Sequence, residues 1–169
     1  NPFTFIKKIA NVAVFGFSTS SSAATLPLSI KVCTEDLGVD DSIASFVLPL
    51  GMTINMDGTA IMQVIATVFI AGCAGYDLTP MELVVIALLA LLASVGTPAA
   101  PGAGAVILFT ILSGVGFVND KALLAYSLIL AINRPIEMLV TSLNVVGDAV
   151  ASICVAKSEG MLDEEKYNA

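Results

Sequence analysis

Five polar side chains in the last third of the sequence recur at steps of three and four residues. They are Arg134, Glu137, Thr141, Asn144 and Asp148. This spacing puts all five on one face of an α-helix, across about four turns, while the other faces are apolar. Hydrogen bonds between helices would explain the threonine and the asparagine, and a structural ion pair would explain Arg134 with Glu137. Two carboxylates in apolar sequence favour a site for a ligand or an ion.

A second polar group interrupts the apolar stretch 43–75. Small and polar residues occur in 51–59 at a density that predicts a locally unwound helix with exposed backbone carbonyls. Hard cations such as sodium are bound by carbonyl and carboxylate oxygens. Asn55 and Asp57 would supply such oxygens here, and Asn144 and Asp148 would supply them from the later helix. The alternative, a packing helix kinked at its glycines, would leave the Asp57 carboxylate unpaired.

Two short segments are suited to bind an anion. The serine cluster 20–22 lies between two short apolar runs, and the small residues 102–104 begin another apolar run. Free N–H groups at the start of a helix attract negative charge. We therefore predict that both segments bind a carboxylate through hydroxyl and amide donors. Small residues also allow apolar helices to pack closely, so the segment 102–104 is the less specific of the two.

The composition is that of a membrane protein. Of the 169 residues, 57% are hydrophobic and 12% are charged, and charge is therefore about half as frequent as in a soluble domain. The net charge of −7 argues against a nucleic-acid partner, because phosphate contacts need a basic surface. Because the chain has no histidine, neither catalysis by histidine nor a metal site with histidine ligands is possible. The three cysteines lack the spacing of a zinc or redox site.

The apolar runs beside each anion-binding segment are too short to cross a bilayer, which takes about 20 residues. We therefore predict an all-α membrane protein with two re-entrant helical hairpins, at about 5–31 and 80–118. Each hairpin is followed by one long, partly unwound transmembrane helix, at about 43–75 and 122–156. This order indicates an inverted repeat, which in secondary transporters surrounds the binding site.

The lysines predict the orientation of these segments. In this topology five of the six lysines lie on one side of the membrane, which predicts that this side, with the C-terminus, is cytoplasmic. Residues 158–169 are expected to form a solvated, acidic cytoplasmic tail. Because the chain begins at Asn1 and not at methionine, we expect it to be a piece of a longer protein that does not transport alone.

Four motifs occur in a specific order: SSAATLP at 21–27, NMDGT at 55–59, GTPAAPGAG at 96–104 and NVVGD at 144–148. Together they resemble the dicarboxylate/amino acid:cation symporter family over nearly the whole chain. The resemblance implies that residues 1–157 form the C-terminal part of a transport domain. It also implies a multi-pass protein of the plasma or inner membrane that forms a homotrimer at full length.

The resemblance implies cation sites as well. The residues that would contribute oxygens are Gly51, Thr53, Asn55, Asp57, Ser94, Val95, Thr97, Asn144 and Asp148. A first site would combine the Asp148 carboxylate with backbone oxygens of Gly51, Asn55 and Asn144. Sodium ions would be the coupling ions, and no other cofactor is expected.

Two further cation sites follow from the same resemblance. A second site would use the carbonyl of Thr53 together with carbonyls of Ser94, Val95 and Thr97. A third would use the side chains of Asn55 and Asp57, with its other ligands outside these 169 residues.

The residues that the resemblance assigns to the substrate are Ser20, Ser22, Thr59, Ala100, Gly104, Glu137, Val140, Thr141 and Asn144. Glu137 falls where the family has an aspartate for the amino group, one methylene shorter. Ala23 replaces a serine of the first hairpin. Val140 replaces the arginine with which transporters of acidic amino acids hold the side-chain carboxylate. Without that partner, burial of a second substrate carboxylate would weaken the binding free energy by about 2–5 kcal/mol. The sequence therefore favours a neutral amino acid.

The sequence thus predicts a symporter, not an enzyme, that couples sodium entry to uptake of an amino acid or dicarboxylate across the lipid bilayer. The alternative substrate is an acidic amino acid or C4-dicarboxylate, and the alternative coupling ion is a proton carried by Glu137. An intramembrane aspartyl protease is a distant alternative, since Val145 stands at the first glycine of the G-x-G-D pattern of such enzymes. An ion-channel segment is the third possibility.

Overall fold

The computed structural model describes all 169 residues. Its regular secondary structure is helical, apart from one isolated bridge between Val39 and Leu162. The nine helices are α1 (Pro2–Thr19), α2 (Ser22–Glu35), α3 (Asp41–Ile54), α4 (Asp57–Ala74), α5 (Pro80–Val95), α6 (Ala103–Gly114), α7 (Asp120–Ile132), α8 (Arg134–Ser158) and α9 (Glu164–Asn168). The prediction of an all-α protein is confirmed.

Helices α1 and α2 form the first helix pair, which contains the predicted segment 5–31. The chain reverses within Ser20 and Ser21, here called the first tip. Ser20 adopts the left-handed conformation, with φ 50° and ψ 32°, and so ends α1. The Ser21 hydroxyl accepts a hydrogen bond from the backbone N–H of Ala24 and thereby caps α2.

Helices α5 and α6 form the second helix pair, and residues 96–102 between them form the second tip. A capping box between Thr79 and Glu82 begins α5. Gly102, with φ 85°, precedes α6, and no side chain in the adjoining sequence caps this helix. The start of α6 therefore needs a partner from elsewhere in the molecule.

Both predicted long helices are broken. The stretch 43–75 consists of α3 and α4, interrupted at Asn55 and Met56, and the stretch 122–156 consists of α7 and α8, with Asn133 at the junction. Two helical stretches, Asp41–Ala74 and Arg134–Ser158, are long and apolar enough to cross a membrane. The break in the first stretch lies inside the segment where small and polar residues predicted unwinding.

The core consists of two apolar clusters with 11 buried residues each. The first cluster joins the first helix pair to α3 and α8, around Leu37 and Leu48. The second cluster joins the second helix pair to α4 and α7, around Ile86 and Leu108. Helices α4 and α8 contact one another and so connect the two clusters.

The C-terminal segment, residues 159–169, is largely exposed, and only Leu162 and Tyr167 in it are half-buried. It returns to the loop between α2 and α3, where the N–H of Asp163 donates to the carbonyl of Gly38 at 2.8 Å. The ammonium group of Lys8 donates to the carbonyls of Asp36, Lys166 and Tyr167 at 3.0, 2.7 and 3.1 Å. Side chains of Leu162 and Tyr167 pack against the first apolar cluster, so this segment is part of the fold.

Candidate functional site

A small cavity lies between the two tips, the start of α4 and the middle of α8. All nine residues predicted to bind substrate lie in its wall: Ser20, Ser22, Thr59, Ala100, Gly104, Glu137, Val140, Thr141 and Asn144. The space available to the centre of a water-sized sphere is about 20 Å³, which is enough for about one water molecule.

The two tips close the cavity by direct contact. The Ser21 hydroxyl and the N–H of Ala23 both donate to the carbonyl of Ala99, at 2.9 and 3.3 Å. Sequence reasoning did not assign five other residues of the wall to substrate: Met56, Met62, Thr97, Pro98 and Ala99. Their positions in the sequence could have indicated them, because Met62 follows Thr59 by one helical turn and Ala99 precedes Ala100. The other three belong to the residues assigned to cations or adjoin them.

Ser20 lines the cavity and has a buried hydroxyl group without a hydrogen-bond partner. The residue is only 3% exposed, and its Oγ atom makes no hydrogen bond. Its left-handed backbone is costly for any residue other than glycine. A buried hydroxyl without a hydrogen bond is also unfavourable. Both features suit a group that is positioned to contact a ligand.

Asn144 links α8 to the start of α4. Its side-chain oxygen accepts from the N–H of Gly58 at 2.8 Å, and its side-chain nitrogen donates to the Thr59 hydroxyl at 3.1 Å. The break before α4 therefore receives its cap from a residue 86 positions away. Gly58 is required for this approach, because a Cβ atom there would lie 2.8 Å from the carbonyl oxygen of Val140.

Glu137 uses both of its carboxylate oxygens. Oε1 accepts from the N–H of Gly102, and Oε2 accepts from the guanidinium of Arg134 at 2.7 Å. The Glu137 side chain is 9% exposed and the Arg134 side chain is 52% exposed. Negative charge at the start of a helix is favourable, so Glu137 supplies the partner that α6 lacks. The structural ion pair considered for these two residues is present, and it lies at the edge of the cavity.

The four residues predicted for the first cation site meet at the break between α3 and α4. The side-chain nitrogen of Asn55 donates to Asp148 Oδ1 at 2.8 Å and to the carbonyl of Asn144 at 3.3 Å. A Cβ atom at Gly51 would lie 2.6 Å from the same Asp148 oxygen. The side-chain N–H groups of Asn55 thus donate to two oxygens that would also suit a cation. An N–H group and a cation both place positive charge against such an oxygen.

The other predicted cation ligands are less closely grouped. Thr53 lies in the last turn of α3, which contacts α5, and the N–H of Thr97 donates to the carbonyl of Ser94 at 3.0 Å. Val95 ends α5. Asp57 is exposed in the first turn of α4. No hydrogen bond joins Thr53 to the residues of α5, or Asp57 to Asn55.

The sequence is similar to a known transporter family. Residues 1–158 match the sodium:dicarboxylate symporter family, which confirms the resemblance inferred from the four motifs. Excitatory amino acid transporter 2 of Homo sapiens is 40% identical over 164 residues, which are 96% of this chain and 28% of that protein. The excitatory amino acid transporter of Onchocerca volvulus is 40% identical over 165 residues, 96% of this chain and 32% of that protein. The chain spans about three tenths of the length of these relatives.

Proposed function

Because the chain belongs to the sodium:dicarboxylate symporter family, we propose that it functions as part of a secondary active transporter. Such a protein couples the entry of sodium to the uptake of an organic anion by alternating access, and it needs no covalent chemistry. The observation that carries this proposal is the cavity between the tips. Its wall combines hydroxyl and amide donors with one carboxylate, and it contains the unpartnered hydroxyl of Ser20.

The substrate that we propose is an acidic amino acid or a dicarboxylate. The sequence favoured a neutral amino acid because Val140 is apolar. The comparisons support the other alternative, since the family is named for dicarboxylates and the relatives are named for excitatory amino acids. The cavity has room for about one water molecule, so the tips must separate before a substrate of this size enters.

Sodium would bind first at the break between α3 and α4. Asp148 is only 4% exposed, and the hydrogen bond from Asn55 replaces only part of the solvation that its carboxylate loses on burial. A cation among the oxygens of Gly51, Asn55, Asn144 and Asp148 would neutralise this charge and order the break. Asn144 also lines the cavity. A cation that orders Asn144 at the break would therefore also favour substrate binding in the cavity. The sites at Thr53 and Asp57 complete the proposed cation set.

We propose that the two helix pairs are re-entrant hairpins in an inverted repeat, with the C-terminus in the cytoplasm of a homotrimeric protein. The outward faces of α4 and α5 support contact with lipid, because large apolar side chains such as Ile65, Phe69 and Leu88 are exposed there. The helix order, with a pair and then a broken helix in each half, supports the repeat.

The proposal is tested by uptake of radiolabelled aspartate and succinate into liposomes that contain the complete transporter. An inward sodium gradient should drive accumulation, and a proton gradient without sodium should not. Replacement Asp148→Asn should raise the sodium concentration for half-maximal uptake at least about tenfold, because the neutral amide is a much weaker cation ligand. The matched control is Asp120→Asn at the exposed start of α7, which should leave this concentration unchanged.

Uptake that ignores the sodium gradient would overturn the proposed coupling. Equal sodium dependence in the Asp148 variant and the native protein would overturn the proposed cation site. Substrate flux without coupled sodium flux would indicate a channel.

A further inference from the structure

The cavity wall contains one charged residue, Glu137. An acidic amino acid brings two carboxylates and one ammonium group. Under the proposed function, the hydroxyl and amide donors of the tips bind one carboxylate, and Glu137 binds the ammonium group. The second carboxylate then faces a wall without a cation. Burial of an unpaired carboxylate is strongly unfavourable, so an acidic substrate requires a cation from outside the wall.

Only one cation of the chain contacts a residue of the cavity. Arg134 donates to Glu137 at 2.7 Å. None of the six lysines reaches the wall. Lys8 and Lys166 bind backbone carbonyls beside the C-terminal segment, and two other lysines pair with glutamates on the surface. Any positive charge that meets a substrate from within these residues therefore comes from Arg134.

The guanidinium of Arg134 is free to take a second partner. It carries five N–H donors, and only one of them is used, for Glu137 Oε2. Its side chain is 52% exposed, so rotation requires little repacking. Arg134 and Thr141 share one face of α8 and are separated by roughly 10 Å along the helix axis. Glu137 lies between them and lines the cavity. The guanidinium that binds the Glu137 carboxylate is therefore already at the edge of the cavity.

We propose that Arg134 determines specificity by binding the distal carboxylate of an acidic amino acid. In the closed cavity it holds the Glu137 carboxylate and balances its charge. When the substrate ammonium group reaches Glu137, the guanidinium turns to the distal carboxylate, and one ion pair is exchanged for two. An arginine suits this role, because it binds a carboxylate through two parallel hydrogen bonds. This inference rests on the proposed function, and it selects an acidic amino acid over a dicarboxylate that lacks an amino group.

The test compares two substrates that differ only at the distal group, aspartate and asparagine, in the complete transporter under a fixed sodium gradient. Replacement Arg134→Gln should raise the half-maximal concentration for aspartate at least about tenfold relative to that for asparagine. Arg134→Lys retains the charge without the paired hydrogen bonds and should give an intermediate ratio. The double replacement Arg134→Gln and Val140→Arg should restore the preference for aspartate, because it returns a cation to the cavity wall.

An equal loss of affinity for aspartate and asparagine in the Arg134→Gln variant would overturn the inference, since Arg134 would then act only by holding Glu137. An unchanged ratio would overturn it as well. Either result leaves the proposed function intact if the native protein accumulates aspartate with sodium. A native protein that accumulates no acidic amino acid with sodium would overturn both. A variant that fails to fold is recognised by its elution in size-exclusion chromatography. If Arg134→Gln does not fold, the ratio of the half-maximal concentrations for aspartate and asparagine in Arg134→Lys tests the inference instead.

Discussion

The two helix pairs meet at the cavity, but they are held in different ways. At the far end of the first pair, Gly38 follows α2 with φ 72°, and the C-terminal segment covers it. At the far end of the second pair, Gly116 follows α6 with φ 77°, and a Cβ atom there would have nothing within 4 Å. At the cavity, the first tip is capped by its own Ser21, whereas α6 receives its cap from Glu137 on α8.

This difference indicates which pair can move at lower cost. The first pair packs against α3 and α8 in one apolar cluster and is fixed at its far end. The second pair packs against α4 and α7, and its tip is held by contacts with Glu137, Ser21 and Ala23. Under the proposed function, a substrate ammonium group at Glu137 would compete for the carboxylate that accepts from the N–H of Gly102. We therefore expect the second tip to open the cavity while the first pair stays fixed.

The largest expected effect comes from the two glycines at the far ends. Replacement of either by alanine costs about 1–2 kcal/mol for the left-handed backbone. At Gly38 the new Cβ also collides with the carbonyl of Asp163, which adds about 1–3 kcal/mol. Denaturant unfolding of the complete protein in detergent should show the larger loss for Gly38→Ala than for Gly116→Ala. Equal losses would mean that the C-terminal segment does not hold the first pair.

A smaller effect is expected at Lys8, whose ammonium group binds three backbone carbonyls. Lys8→Met keeps the aliphatic stem and removes these hydrogen bonds, which should lower the free energy of unfolding by about 1–2 kcal/mol. Cleavage of residues 159–169 by a protease should also become faster. The matched control is Lys7→Met, because Lys7 is exposed. If both variants are cleaved at the native rate, Lys8 does not hold the segment.

The smallest effect concerns the cap of the first tip. Ser21→Ala removes the hydrogen bonds to Ala24 and Ala99, and we expect a loss of about 1 kcal/mol in the free energy of unfolding. Ser18→Ala is the control, because its hydroxyl bonds only to the carbonyl of Phe15 in its own helix, and its effect should stay within about 0.5 kcal/mol. If Ser18→Ala lowers the free energy of unfolding as much as Ser21→Ala does, the cap at Ser21 does not stabilise the first tip.

The sequence predicted those features that depend on local spacing. The helical face that carries Glu137 and Asp148 follows from steps of three and four residues, and Glu137, Thr141, Asn144 and Asp148 are buried as that pattern requires. The break at Asn55 follows from the density of small and polar residues around it. At the first tip, Ser20 ends α1 and Ser21 caps α2 without help from distant residues.

The tertiary structure determined which of these groups form hydrogen bonds with one another. Gly102 and Glu137 are 35 positions apart, Asn55 and Asp148 are 93 apart, and Lys8 and Lys166 are 158 apart. No periodicity in a sequence specifies such pairs, because they form when helices pack and buried polar groups must find partners. The same requirement attaches the exposed C-terminal segment to the first helix pair, since carbonyls at the ends of α2 and α9 share the ammonium group of Lys8.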